Sequence, residues 1–317
     1  MFVVLQVMAI LSNMPSTDFS SYRGRFAPSP TGPLHFGSLV AAVASYADAR
    51  HHGGAWLLRI EDVDTPRSVA GAAEDILATL AACGMRHDGE IIYQSRRNEA
   101  YHATLHQLRE HKLAYPCACT RREVADSALR GIEGPVYPGT CRHDIGSKPA
   151  RAWRVDTRGA RIAFDDVVQG RVEQNLETDI GDFVLFRADN LYAYQLAVVV
   201  DDAAQGITHV VRGADLLDST PRQIYLQHLL KLPTPQYLHV PIAVNSAGEK
   251  LSKQTRAAAV DRGSVLPALH DALRFLGQQP PALDSVEVLW QWAIAHWQRE
   301  AIPRARTRSS SAEGAHA

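Results

Sequence analysis

From about Tyr22 onward, short apolar segments alternate with longer segments of helical periodicity, and this alternation restricts the fold more than any other feature. Residues 23–27 and 55–60 have strand character, and residues 35–51 between them have the composition of a helix rich in Ala, Val and Leu. Strands that alternate with helices build a parallel sheet, because a chain that returns in the same direction needs a crossover. We therefore predict an α/β fold with a parallel sheet.

The same periodicity gives the remaining elements. Helices are expected over four further segments, residues 69–83, 97–111, 264–276 and 284–298. Strands are expected at residues 237–244 and, within residues 151–200, at the segments RAWRV, RIAFDDVV, DFVLF and YAYQLAVVV. Thr220, followed by Pro221 and then by Gln223 three positions later, predicts a capping box at the start of another helix. The polar tail from Pro303 is expected to be disordered.

The apolar stretch at residues 2–11 does not predict a membrane span. It is shorter than the roughly 20 residues that cross a bilayer, and no basic residue precedes it as in a signal peptide. We expect residues 1–20 to be an extension outside the working fold, with Met14 as an alternative start. Lys and Arg total 33 against 34 Asp and Glu, which excludes a chain that holds nucleic acid by bulk positive charge. We expect a cytoplasmic monomer without a membrane partner.

Three of the four cysteines, Cys117, Cys119 and Cys141, lie in a segment with little periodicity. They are too few for a disulfide scaffold of this size, and one residue between the first two suits a shared metal. Residues 131–139 contain five Gly or Pro, so the segment is expected to be an insertion with its own local scaffold. Three reduced cysteines without a metal are the alternative. Cys83, on an apolar helix face, is expected to be packed in the core.

The same region carries a local excess of positive charge. Residues 117–161 contain nine Lys or Arg against five Asp or Glu. Such an excess suits a surface that faces RNA, and it suits an ordinary solvated surface almost equally well. The sequence leaves both interpretations open.

Two short motifs carry the chemistry. His35, Gly37 and Ser38 lie where a proline-rich loop becomes a helix, and free N–H groups at a helix N-terminus favour a phosphate. Far along the chain, Lys250 and Lys253 bracket Ser252 in a loop after a strand, which is a mobile cationic clamp for a polyphosphate. Each motif alone is weak, since a plain helix start and a solvated loop are common.

Together and in this order, the motifs resemble those of the class I aminoacyl-tRNA synthetases, which place a Rossmann-type nucleotide-binding sheet in the catalytic domain. Residues 35–38 (HFGS) stand for the HIGH motif and residues 250–254 (KLSKQ) for the KMSKS loop, with Ser38 in place of the second His. Residues 25–32 (RFAPSPTG) and 58–64 (LRIEDVD) resemble the glutamyl branch. The resemblance covers roughly residues 22–256.

The resemblance implies that ATP, with Mg²⁺, activates L-glutamate, and it assigns roles to residues. His35 and Lys253 are the expected catalytic residues, with Lys253 on the leaving pyrophosphate. The ATP site is expected to comprise His35, Gly37, Ser38, Lys250, Ser252 and Lys253. The glutamate site is expected to comprise Arg25, Phe26, Ala27, Pro28 and Ser29, with Arg212 as a second carboxylate anchor, Glu61 for the ammonium and Tyr194 as a hydroxyl donor.

Few residues follow Gln254, which resembles the short glutamyl-Q paralogues of this branch. Those proteins activate glutamate without tRNA and esterify it to queuosine at the wobble position of tRNA(Asp), a base whose cyclopentene diol is similar to the ribose diol at a tRNA 3′ end. They also imply one structural Zn²⁺ per chain on Cys117, Cys119, Tyr137 and Cys141. His143 is the alternative fourth ligand, because imidazole binds zinc more commonly than phenol does.

The sequence is also compatible with two other functions. A truncated glutamyl-tRNA synthetase would charge the 3′ end of tRNA(Glu), and a non-catalytic paralogue would bind RNA or glutamate as a regulator. The missing anticodon-reading region argues against the first, and intact His35, Lys253, Arg25 and Glu61 argue against the second. The expected domains are an extension (1–20), two halves of a Rossmann catalytic domain (21–114 and 201–256), the insertion with connecting strands (115–200), a helical C-terminal region (257–302) and a disordered tail (303–317).

Overall fold

The computed structural model describes residues 21–126, 130–132, 134–245, 247–250, 258–282 and 284–309. The strands are β1 (Arg23–Phe26), β2 (Ala55–Ile60), β3 (Ile92–Tyr93), β4 (Ala114–Cys117), β5 (Arg130–Gly131), β6 (Gly134–Pro135), β7 (Ala152–Val155), β8 (Arg161–Asp166), β9 (Gly170–Asn175), β10 (Val184–Phe186), β11 (His209–Gly213), β12 (Gln236–Val240), β13 (Ile242–Val244) and β14 (Thr307–Ser309). The helices are α1 (Phe36–His51), α2 (Ala72–Ala82), α3 (Asn98–Glu110), α4 (Arg121–Asp126), α5 (Leu176–Asp179), α6 (Tyr194–Ala204), α7 (Thr220–Leu230), α8 (Val265–Phe275) and α9 (Val286–His296).

Parallel strand pairs form the centre of the fold. β1 pairs with β2 and β2 with β3, all parallel, and β11 pairs in parallel with β12. The two groups meet beside β1, where the Thr208 N–H donates to the Arg23 carbonyl oxygen at 3.0 Å. In such sheets the carboxyl ends of the strands lie at one edge, which is where open α/β sheets bind their ligands.

Helix α1 lies at the core of this half of the molecule. Its residues from Leu39 to Ala49 are nearly all buried, because it packs against β1 and β11 on one side and against α8 and α9 on the other. Asp48, a polar residue within it, is fully buried and accepts hydrogen bonds from Tyr22 (2.5 Å), Trp297 (2.9 Å) and Arg299 (2.7 Å). This cluster ties the first strand to the C-terminal helices.

Antiparallel pairs build the middle of the chain. β7 lies between β4 and β10, and β8 and β9 form a hairpin. Pro116 is tolerated in β4 because β4 is an edge strand of its three-stranded sheet, where a missing N–H costs little. The helices predicted at 35–51, 69–83, 97–111, 264–276 and 284–298 are each confirmed to within three residues.

Four local predictions were wrong. The segment YAYQLAVVV is helix α6, not a strand, because both of its faces are buried and an apolar run of this length fits either structure. The strand predicted at 237–244 is broken at Pro241, which has no N–H to donate.

The capping box at Thr220 is also absent. A 3₁₀ turn (Ala214–Ser219) runs directly into α7, so the Thr220 hydroxyl donates back to the Leu216 carbonyl (3.1 Å) and caps no N–H. The described part of the tail, residues 303–309, is ordered, since β14 pairs in parallel with β13 and Arg306 forms a two-bonded ion pair with Asp218. Residues 1–20 and 310–317 lie outside the described residues. Among those described, no helix has the length and apolar character needed to cross a lipid bilayer.

Candidate active site

A cavity of about 520 Å³ opens at the carboxyl ends of the parallel strands. Its walls come from the ends of β1, β2 and β11, from the loop between β1 and α1, and from the start of α1. Every described residue of the predicted glutamate and ATP sites lines it. These are Arg25, Phe26, Ala27, Pro28, Ser29, His35, Gly37, Ser38, Glu61, Tyr194, Arg212 and Lys250. Ser252 and Lys253 lie outside the described residues.

The loop from Ala27 to Pro33 is fixed by its backbone. The Pro28 carbonyl accepts from the Glu61 N–H at 3.0 Å, and the Pro30 carbonyl accepts from the Val69 N–H at 2.9 Å. Gly32 has a φ of 146°, a conformation that side chains of L-residues rarely adopt. The three prolines and these bonds hold Ser29 at the mouth of the cavity, where its side chain is exposed.

Four buried charges form a cluster beside the cavity, and two of them, Arg25 and Glu61, line it. Asp202 accepts from Arg25 at 3.2 Å and from Arg59 at 2.8 Å, and Arg59 also contacts Glu61 at 3.3 Å. All four side chains are at most 7 % exposed. Burial raises the pKa of Glu61 above its ordinary value, with Arg59 and Arg25 opposing the shift. Burial also acts to raise the pKa of Asp202, but Arg25 and Arg59 outweigh it and the pKa is lowered.

Arg212, the next-to-last residue of β11, is held by three polar side chains. Its Nε lies 3.0 Å from His239 Nε2, and one terminal nitrogen donates to Thr220 (2.8 Å) and Gln223 (2.9 Å). The other terminal nitrogen, Nη1, is buried and has no hydrogen-bond partner among the described residues. A buried cation with one open donor suits a ligand carboxylate, because an unpaired buried donor is costly.

Tyr194 begins helix α6 and lies between the charged groups. Burial raises the pKa of its hydroxyl, Glu61 raises it further, and Arg212 and Arg25 act in the opposite direction. The hydroxyl therefore stays protonated and is available as a hydrogen-bond donor at neutral pH. It faces the cavity from the helix that also carries Asp202.

The other end of the cavity is suited to phosphates. His35 is the N-cap of α1, its own side chain makes no capping hydrogen bond, and the first turn holds no acidic residue. The first N–H groups of the helix lie beside the cavity, since Gly37 and Ser38 line it. His35 Nδ1 lies 3.3 Å from the Ala258 carbonyl, and its Nε2 is buried without a partner among the described residues. Lys250 lines the same end, with Nζ 2.5 Å from Asp215.

The backbone on both sides of the undescribed segment 251–257 lies at this end of the cavity. Lys250 lines it, and on the other side Ala259 pairs with His35 while the Val260 N–H donates to the Leu34 carbonyl at 2.9 Å. Lys250, the first residue of the second motif, therefore lines the same cavity as His35, although the two are remote in sequence.

The cysteine cluster lies in the insertion, away from the cavity. The sulfur atoms of Cys117, Cys119 and Cys141 lie within 4.8 Å of one another, and none is in a disulfide. The Tyr137 hydroxyl lies among them, 3.4 Å from Cys117 Sγ and 3.6 Å from Cys119 Sγ. His143 is exposed and belongs to no metal-ligand group among the described residues. The donor set of three sulfurs and a phenol oxygen fits one tetrahedral metal ion.

Cys83, by contrast, is fully buried at the end of α2, as predicted, and burial raises the pKa of its thiol to about 11. The predicted basic surface is partly neutralised. Arg142 pairs with Asp182 at 2.6 Å and Arg158 pairs with Asp156 at 2.6 Å, so part of the excess positive charge is used inside the insertion. Arg121 and Arg122 are exposed.

Several functional groups were missed from the sequence. Arg59 and Asp202 complete the buried charge cluster, and Asp166 bonds His239 Nδ1 at 2.6 Å behind Arg212. One sequence signal was available for Arg59: it is the single charged residue in the apolar strand AWLLRI, which indicates a buried charge that needs a partner.

Residues 21–275 match the model of the family described as tRNA synthetases class I (E and Q), catalytic domain. The chain belongs to this family. Its relatives include a protein of Aromatoleum aromaticum, 58% identical over 89% of this chain and 91% of the relative, and one of Dechloromonas aromatica, 59% identical over 90% and 97%. Both are named glutamyl-Q tRNA(Asp) synthetase.

Among solved structures, the fold is similar to that of a glutamate-tRNA synthetase from Elizabethkingia anophelis. The TM-score is 0.77 at 27% identity, over 92% of this chain and 68% of the other. A glutamate tRNA ligase from Elizabethkingia meningosepticum, solved in complex with its amino acid, gives a TM-score of 0.76 over the same shares. The chain is therefore a ligase of this synthetase family.

Proposed function

We propose that this synthetase activates L-glutamate with ATP, without tRNA, and transfers the glutamyl group to queuosine at the wobble position of tRNA(Asp). The observation that carries the proposal is the high identity, over nearly the whole chain, to proteins named for this reaction. The cavity supports it chemically, because it combines buried cations, a buried carboxylate and an open helix N-terminus. A truncated glutamyl-tRNA synthetase that charges tRNA(Glu) is the weaker alternative.

Glutamate has two carboxylates and one ammonium, and the cavity offers a partner for each. Arg212, through its open Nη1, and Arg25, with Ser29, bind the carboxylates. Glu61 binds the ammonium. Burial raises the pKa of Glu61, and the positive charge of the ammonium, like those of Arg59 and Arg25, acts to lower it. Tyr194 donates its hydroxyl, and the backbone from Phe26 to Pro28 shapes the wall.

Activation needs no base on the protein, since the attacking carboxylate is already an anion. Its oxygen forms a bond to the α-phosphorus of ATP while the bond to pyrophosphate breaks. His35, Gly37 and Ser38 hold the phosphates at the start of α1, Lys250 and Lys253 neutralise the leaving pyrophosphate, and the Ser252 hydroxyl binds ATP between them. Mg²⁺ bound with ATP supplies further charge neutralisation. A hydroxyl of the acceptor then attacks the acyl carbon, and AMP leaves.

The deciding experiment uses tRNA(Asp) prepared with and without queuosine. We expect glutamate-dependent ATP–pyrophosphate exchange in the absence of any tRNA, and labelled glutamate on tRNA(Asp) only when queuosine is present. Oxidation of the 3′ ribose does not discriminate, because periodate also cleaves the cyclopentene diol, so the 3′ adenosine is removed enzymatically instead. Label that disappears with that adenosine, or that goes to tRNA(Glu), would support the truncated-synthetase alternative.

We also propose that one Zn²⁺ per chain is bound by Cys117, Cys119, Tyr137 and Cys141, where it holds the insertion together. We expect Cys141→Ser to lose the metal, because three strong ligands fall to two, whereas His143→Ala retains it. Metal content measured by mass spectrometry on the purified full chain gives the ratio directly, near one for the unaltered chain. Loss of zinc in His143→Ala and retention in Tyr137→Phe would make His143 the fourth ligand.

A further inference from the structure

Behind the cavity wall, Arg212 has all but one of its guanidinium nitrogens engaged. Nε faces His239 Nε2 at 3.0 Å, and Nη2 donates to Thr220 (2.8 Å), Gln223 (2.9 Å) and, at 3.5 Å, to the Leu216 carbonyl. A guanidinium has a rigid planar fork, so fixing Nε and Nη2 also fixes the direction of Nη1. Nη1 is buried and has no hydrogen-bond partner among the described residues, and Arg212 is one of the residues that line the cavity.

The contact with His239 requires one particular tautomer. Arg212 Nε always carries a proton, so His239 Nε2 must present its lone pair, and the ring proton must be on Nδ1. Nδ1 lies 2.6 Å from Asp166 Oδ2, a carboxylate oxygen that can only accept. Burial lowers the pKa of His239 to about 4, with Asp166 opposing and Arg212 reinforcing the shift, so the ring is neutral at physiological pH.

Asp166 is itself fixed in place. Its other oxygen, Oδ1, accepts from the backbone N–H groups of Val168 (3.0 Å), Gln169 (2.9 Å) and His239 (3.2 Å). Asp166 is 3 % exposed and His239 is fully buried. Neither residue lines the cavity, so neither touches a ligand held there.

We infer that Asp166 and His239 are positioning residues that set the tautomer of the imidazole and, through it, turn the open edge of Arg212 toward a substrate carboxylate. This inference deepens the proposed function, since it rests on glutamate binding at Arg212. It means that Asp166 and His239 increase the affinity for the amino acid although they do not line the cavity. ATP, bound at the other end of the cavity, is outside their reach.

Asp166→Asn tests the inference with little change in shape. Asn keeps an oxygen for the backbone N–H groups but presents an N–H to Nδ1, which moves the ring proton to Nε2 and sets it against Arg212 Nε–H. We expect the KM for glutamate in ATP–pyrophosphate exchange, and the Kd from calorimetry, to rise about 10- to 100-fold. The KM for ATP and the kcat are expected to stay within about threefold.

A ¹⁵N NMR spectrum of the imidazole reads the tautomer, which a purely structural role would not change. We expect the ring proton on Nδ1 in the unaltered chain and on Nε2 in Asp166→Asn. Asp48→Asn is the matched control, because Asp48 is also a buried, multiply bonded carboxylate but does not line the cavity. It is expected to lower stability and leave the KM for glutamate unchanged.

A second pair of variants keeps the test valid if Asp166→Asn does not fold. His239→Gln offers an amide oxygen to Arg212 Nε and is expected to retain most of the affinity, whereas His239→Leu offers none and is expected to lose it. An unchanged tautomer, an unchanged glutamate affinity, or an equal loss of glutamate and ATP affinity would overturn the inference. Absence of exchange in the unaltered chain would instead refute the proposed function, while calorimetry with glutamate would still report on Arg212.

Discussion

Lys253→Ala is expected to slow glutamate-dependent ATP–pyrophosphate exchange about 100-fold, with a small effect on the KM for glutamate. Negative charge moves onto the leaving pyrophosphate in the transition state, and one missing cation there costs roughly 3 kcal/mol. The described residues on either side of this loop, Lys250 and Ala259, reach the phosphate end of the cavity beside His35. Steady-state exchange at saturating glutamate measures the effect.

A double variant makes this test sharper. His35→Ala is expected to cost a similar factor, because its Nε2 is buried and has no hydrogen-bond partner within the part of the chain that the structure describes. If both side chains act on one triphosphate, the combined variant should lose less than the product of the two factors, since groups that act as a unit are not additive. Fully multiplicative losses would mean that they act independently. Lys148→Ala, an exposed lysine in the insertion, is the control and is expected to leave exchange unchanged.

Much of the site could be predicted from the sequence because its groups lie at strand ends and in short motifs. Glu61 directly follows β2, and Arg25 and Arg212 are the next-to-last residues of β1 and β11, so a parallel sheet brings all three to one edge whatever the details of packing. The cavity at that edge contains all three. His35 and Lys250 are far apart along the chain, but the topology of the fold brings both to the same cavity.

The wrong predictions of local structure have one physical cause: tertiary contacts, which local sequence patterns do not contain, decided the structure of these segments. The segment that begins at Tyr194 is apolar enough for a buried strand or a buried helix, and only its packing between other elements decides. Thr220 has the sequence of a cap, but its hydroxyl is used by Arg212 and Leu216 instead. The tail around Arg306 is polar, yet an open strand edge and Asp218 hold it.

Side-chain pairing was the least predictable property. Asp202 lies in a helix, far in sequence from its partner Arg59, and Asp166 is 73 residues from His239. Nothing in local composition selects one buried carboxylate over another. These pairs decide which cations remain open to a ligand, so the specificity of the site depends on the part of the structure that sequence patterns describe least well.

The buried charge cluster gives the largest expected effect on stability. Arg59→Met is expected to lower the free energy of unfolding by about 3–5 kcal/mol, because it leaves the carboxylates of Asp202 and Glu61 buried with less compensation. Arg59 is fully buried and bonds Asp202 at 2.8 Å, Gln205 at 2.7 Å and Glu61 at 3.3 Å. Urea unfolding followed by circular dichroism measures the change.

A double variant shows whether the loss of stability in Arg59→Met comes from unpaired buried charge or from lost packing contacts. If the unpaired charge is the cause, adding Asp202→Asn to Arg59→Met should recover part of the stability, even though a further polar group is altered. If packing were the cause, the second change would lower stability again. Arg171→Met is the matched control, since Arg171 pairs with Asp165 and Glu173 on the exposed hairpin and its removal should give no measurable change. A cluster whose charges are each balanced by another needs no substrate to offset them, and the proposed function uses two of its members, Arg25 and Glu61, for the opposite charges of an amino acid.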